Sequence, residues 1–230
     1  MEDAAGTFGG VAGMIWRELL ARLLALMVLL ALPVQAAAID TGSYRAAASS
    51  GAFGAVAGRI YEERKRPEAP DRPLAGAAVI VLPKSAEVLK KLEEIKRLAR
   101  NSANDYRAAG PSILSVRRAY EKELWDSGAV DLVKSTTVDT EGRFVVSDLP
   151  AGDWLVIATH NVKIDKHVSG APPKQRGVYT PGTQLTGYQH IMVWLREVTV
   201  ANGRSENLEL TDRGAWFSGV VEERAPGAGR

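Results

Sequence analysis

The chain of 230 residues contains no cysteine. That absence excludes disulfides, thiolate metal sites, a cysteine nucleophile and the lipidated N-terminal cysteine of a bacterial lipoprotein. An excess of one charge sign is missing too. Twenty-nine Lys and Arg against 27 Asp and Glu leave a net charge of +2, short of the concentrated basic face that nucleic acid requires. No G-x-S-x-G elbow, no G-x-x-x-x-G-K phosphate loop and no H-E-x-x-H helix occurs in the chain. The expectation is a protein with no catalytic residue, no cofactor and no resident metal. What is present is ordinary globular material, 46% hydrophobic and 24% charged, enough to bury a core.

One long apolar run stands out, Leu23 to Leu32. Arg17 and Arg22 precede it, Pro33 ends it, and Ala36-Ala37-Ala38 comes after. Positive charge, apolar stretch and small residues in that order are a secretory signal, and the run is too short for an ordinary spanning helix. Residues 1–38 are therefore read as a signal peptide with Met14 as its possible true start. Cleavage is expected near Ala36–Ala38. The product would be periplasmic or secreted, touching membrane only through that segment before cleavage. Residues 39–53 are small and polar and read as a flexible lead-in.

The organising stretch is Ser135 to Thr159. Phe144 and Val146 alternate on one face of a strand, Trp154, Val156 and Ala158 on one face of the next, and Gly142 and Gly152 mark the turns. Phe53 to Tyr61 reads as an opening strand. Ala78 to Leu82, apolar on both faces, reads as a central strand or one covered by a further element. Between these strands lies a helical hairpin, residues 84–128. Ser85 is the cap, Val88, Leu92, Ile95 and Ala99 form the first stripe, and Gly110-Pro111 is a break. Ile113, Val116 or Arg117, Tyr120 and Leu124 form the second stripe, and Gly128 is the stop. Amphipathic stripes pack into the parent core by default, and exposure of the hairpin as a docking surface is the alternative. Ile191 to Val200 is a strand with a bend near Leu195-Arg196, Asn202-Gly203 a hairpin turn, and Ala215 to Val221 a last strand. Residues 222–230 read as a disordered tail.

The segments V-A-G-R-I (56–60), P-L-A-G-A-A-V-I-V (73–81) and T-T-V-D-T-E-G-R-F-V-V-S-D-L-P-A-G-D-W-L-V (136–156) resemble the carboxypeptidase regulatory-like domains, with Trp154 standing where that family usually has Tyr. Residues 196–210 resemble the family's closing strand pair. The resemblance implies a mainly β protein, an antiparallel Greek-key β-sandwich of the transthyretin-like, or prealbumin-like, kind over residues 54–221. The hairpin is then an insertion that the family lacks. The resemblance also implies a non-catalytic module, since these domains accompany peptidases and envelope proteins without hydrolysing anything themselves.

Residues 160–190 show no clean periodicity and read as a long loop, the kind that often carries function. Tyr179 and Tyr188, helped by Lys174 and Arg176, are candidates to present rings and charge to a protein or carbohydrate partner in the cell envelope. Trp125 near the end of the second helix is a further candidate. Asp139 to Gly142 has the turn chemistry of the strand connection and lacks the ligand series of a calcium loop. The alternative of a different class is a metal-dependent or hydrolytic enzyme built on His160, His167 and His190. A purely structural spacer is the third reading.

Overall fold

The computed structural model describes residues 41–164 and 183–226. The chain divides into two units, Met1–Ala38 and Ile39–Arg230, and the described residues all belong to the second. Residues 1–38, read from the sequence as a signal peptide, lie outside them.

Two sheets and a helical hairpin make three layers. In the first sheet, β1 (Phe53–Glu62) is the hub. It pairs antiparallel with β2 (Arg72–Pro73) and β5 (Arg143–Pro150), and parallel with β8 (Ser205–Thr211). The second sheet runs β4 (Lys134–Thr137), β3 (Ala78–Pro83), β6 (Gly152–Ile164), β7 (Thr183–Val200), β9 (Phe217–Pro226), antiparallel at every step. The protein is thus a mainly β sandwich with an inserted helical hairpin, as expected. The parallel β1–β8 pair is its one departure from all-antiparallel pairing among the described strands.

Register fixes which residues meet. Val79 opposes Ala158, Val81 opposes Val156, and Ala158 opposes Trp194, so these side chains share one face of the second sheet. That face looks at the first sheet. Trp194 Nε1 donates to the Thr211 carbonyl at the end of β8 (2.7 Å), and Trp154 Nε1 to the Pro150 carbonyl at the end of β5 (2.9 Å). The opposite face, with Leu82, Leu155, Ile157 and Ile191, is covered by the helices. Ala78–Leu82 is apolar on both sides because Val79 and Val81 are buried on one and Leu82, with the partly buried Ile80, packs on the other.

A short helix, α1 (Gly42–Ser49), precedes the sandwich. The hairpin consists of α2 (Ala86–Leu98) and α3 (Ala103–Asp126). Ser85 caps α2, its Oγ accepting from Val88 N at 3.3 Å, and Ser102 caps α3, its Oγ accepting from Asp105 N at 3.1 Å. Val88, Leu92, Ile113, Tyr120 and Leu124 are buried. The expected break at Gly110-Pro111 does not occur. Helix α3 runs through Pro111, and Ser112 Oγ donates to the Ala108 carbonyl (2.8 Å) beside the bond that proline cannot make. Gly110 is there for close approach instead. A Cβ at this position would lie 3.1 Å from Val221 and 3.4 Å from Ile191.

Four further expectations need correction. The lead-in is not flexible throughout: α1 is helical, with Tyr44 buried edge-on against Trp154 at 5.0 Å and its hydroxyl donating to the Asp153 carbonyl. A single apolar ring with a partner outweighs a small, polar composition. The loop read over 160–190 is largely strand where it is described, because β6 continues to Ile164 and β7 begins at Thr183. β7 shows no bend at Leu195-Arg196, and its pairing with β6 is unbroken from Tyr188 to Val200. The last strand runs to Pro226, into the segment read as a tail.

One turn and one bulge of the meander take left-handed backbone. Asp139 Oδ1 accepts from Glu141 N (2.9 Å) and Arg143 N (2.8 Å), an Asx arrangement that leads into Gly142 at φ 81°. Asp148 has φ 56° where the β1–β5 register shifts. An extra β5 residue bulges there, and the left-handed conformation is one that Asp tolerates.

Candidate functional site

Trp125 is placed by helical geometry. Its neighbour Leu124 is buried against the sandwich, and one residue further the helix has turned by about 100°, leaving Trp125 68% exposed. The helix stops directly afterwards at Gly128, whose φ of 73° closes the end and whose carbonyl accepts from Arg45 Nη2 (3.2 Å). Val130, just past that turn, is 41% exposed. Lys122 and Asp126 pair on the surface beside the tryptophan, and Arg118 is exposed. The corner thus offers a large ring, a branched apolar residue and charge on a backbone held by two helices. An exposed aromatic on rigid scaffold is the kind of residue that dominates binding energy at interfaces.

The second candidate region is the arm formed where β6 and β7 run on past Thr159. Tyr188 is half-buried there, opposite Ile164 on β6 and Glu222 on β9. Tyr179, Arg176 and Lys174 lie outside the described residues, as does His167. Trp125 and Tyr188 belong to different ends of the molecule. Ile191, three positions from Tyr188, meets Gly110, and Trp125 stands about 22 Å further along α3 at the helical rise.

His160 and His190 come together on adjoining strands. His160 opposes Met192, Val162 opposes His190, and the two rings share a face as diagonal neighbours. Burial is the main cause lowering the His160 pKa below the usual imidazole value, with the charges of Arg72 and His190 adding to it and a hydrogen bond at the Ala75 backbone opposing it. His160 Nδ1 is buried with no hydrogen-bond partner among the described residues. His190 Nε2 lies 2.8 Å from Ser218 Oγ. No group of three or more His, Asp or Glu poised for a metal occurs among the described residues. Composition alone places these histidines in a loop. The signal that finds them is the alternation of Trp154, Val156 and Ala158, which carries on through His160 and Val162.

Between α2 and α3 lies a groove of about 160 Å³ lined by Val88, Val116, Ala119 and Tyr120 among others, below the size of ordinary small-molecule sites. The Tyr120 hydroxyl in its wall is spent on the Pro83 carbonyl (3.0 Å), and burial pushes its pKa up. No described helix is long and apolar enough to cross a membrane.

No family model matches the chain, and no curated protein matches it. Among solved structures, it is similar to a candidate carbohydrate binding protein from Pseudomonas aeruginosa, at 15% identity over 70% of this chain and 88% of that one, TM-score 0.39. It is also similar to a minor pilin of Streptococcus agalactiae (10% identity, 78% and 48%, TM-score 0.29) and to the pilus backbone protein of Streptococcus pneumoniae (11%, 70% and 41%, TM-score 0.26). The chain spans less than half the length of those two pilin chains. At these scores the likenesses add no weight to the architecture read from the strand pairing, and none to a function.

Proposed function

We propose that the chain is an exported, non-catalytic β-sandwich module of the carboxypeptidase regulatory-like kind that binds a protein or glycan partner in the cell envelope. The observation that carries this reading is Trp125, 68% exposed on a hairpin whose other large apolar side chains are mostly turned inward. An indole 68% exposed directly after the buried Leu124 offers a partner a large anchor on a helix fixed by Ile113, Tyr120 and Leu124. The Leu23–Leu32 run and the small residues after it support export. Tyr188 on the arm supplies a second contact, to which the sequence adds Tyr179, Arg176 and Lys174.

Immobilised wild-type chain, Trp125→Ala and Tyr179→Ala/Tyr188→Ala would each be incubated with envelope extract and with a glycan array. A partner or glycan retained by wild type and lost from Trp125→Ala supports the reading. An identical retained set for all three proteins overturns the choice of contact residues. Nothing retained by wild type leaves the structural spacer as the better reading.

A further inference from the structure

The arm holds a side-chain cluster with a chemistry of its own. His160 on β6 stands directly opposite Met192 on β7, and Met192 directly opposite Ser218 on β9. His190, two residues before Met192, projects to the same face, diagonal to His160. Directly opposed side chains have Cβ atoms about 5 Å apart and diagonal ones about 7–8 Å. Two imidazoles and a thioether set at those spacings can close on a single ion.

The two rings differ in their partners. His160 Nδ1 is buried with no hydrogen-bond partner among the described residues. A buried nitrogen lone pair left unmatched is a cost that folding alone does not explain. His190 has Nε2 on Ser218 Oγ at 2.8 Å, which leaves Nδ1 as its remaining ring nitrogen. One nitrogen held by a protein group and the other presented to an ion is how metal-ligating histidines are oriented, because the outer partner fixes tautomer and ring angle. Met192 is partly buried and packed against the core, so its sulfur is held on a rigid strand.

The donor set selects the ion. A thioether is a poor ligand for calcium, magnesium or zinc, and no third His, Asp or Glu joins the group among the described residues. Two neutral imidazoles and one soft sulfur suit a monovalent soft cation. We propose that His160, Met192 and His190 bind a cuprous ion on the sandwich-facing side of β6 and β7. This site is separate from the Trp125 corner and stands or falls without it.

The test is competition for copper against a chromogenic cuprous chelator, under reducing and oxygen-free conditions, with the full chain. Wild type is expected to withdraw one equivalent. Met192→Leu, close in size, should lower the affinity by well over tenfold, as should His160→Asn. Ser218→Ala, removing only an outer partner, should cost about tenfold. Near-ultraviolet circular dichroism on each variant separates loss of ligand from loss of fold. Three results would overturn the site: no copper withdrawn by wild type, undiminished binding by a folded Met192→Leu/His190→Ala protein, or a preference for zinc over cuprous ion.

Discussion

The same two strands behave differently at their two ends. From Trp154 to Thr159, β6 is buried on both faces, and Val193, Trp194 and Leu195, which oppose its last three residues on β7, are buried with it. From His160 to Lys163 the pairing continues without a break, yet the residues become mostly polar and open to solvent. Backbone pairing is equal in the two halves. Covering layers are not. What holds the body is side-chain burial, and what holds the arm is the ladder plus the body to which it is joined. The body is therefore packed on both faces, and the arm chiefly where Ile191 and Met192 lie.

Breaking the body should have the largest effect. Trp154→Ala removes a fully buried indole, its edge contact with Tyr44 and its bond to Pro150, and should cost about 3–5 kcal/mol in urea unfolding. Gly58→Ala is next. A Cβ there would sit 2.9 Å from the Phe144 ring and against the Leu208 carbonyl, so a loss of about 1–3 kcal/mol is expected in the same assay. Tyr120→Phe removes the hydroxyl that donates to the Pro83 carbonyl and should cost about 1 kcal/mol. Trp125→Ala should shift stability by no more than about 0.5 kcal/mol while abolishing partner capture. A large stability loss from that variant would mean the ring belongs to the body after all.

The arm is distinguished by its pH response. The folded-state pKa of His160 is lowered, so the folded protein favours the neutral ring and the unfolded chain takes up the proton first. The stabilisation is therefore present above the ordinary imidazole value of about 6.5 and is lost as pH falls through the lowered folded value. Across that window the urea midpoint of wild type should fall relative to that of His160→Gln. A constant gap between the two curves would show that His160 does not contribute.

The body was legible in the sequence and the arm was not, for a physical reason. Alternation records which face is buried, and it is clear at Phe144 and Val146 or at Trp154, Val156 and Ala158 because one face of each meets the core. Beyond Thr159 the alternation runs on only through His160 and Val162, where a polar imidazole stands in an apolar position and weakens it. Gly110-Pro111 misled for a related reason. Local preference says break, whereas the need for α3 to press against Ile191 and Val221 overrides it. Tyr44 was invisible because a lone aromatic in a small, polar segment announces nothing until its partner Trp154 is seen. Of the candidate contact residues, Trp125 was reachable from helical phase: with Ile113, Tyr120 and Leu124 on the buried stripe, Trp125 lies about 100° round from Leu124.

One consequence of the β1 pairings concerns synthesis. Val56 is paired on one side with the strand carrying Val146 and on the other with the strand carrying Glu206, both made long after it. Only the two residues of β2 lie near it in sequence, and its second ladder closes only once β8 has been made. The hub of the first sheet is thus completed by contacts between residues far apart in sequence, the kind of pairing that slows folding.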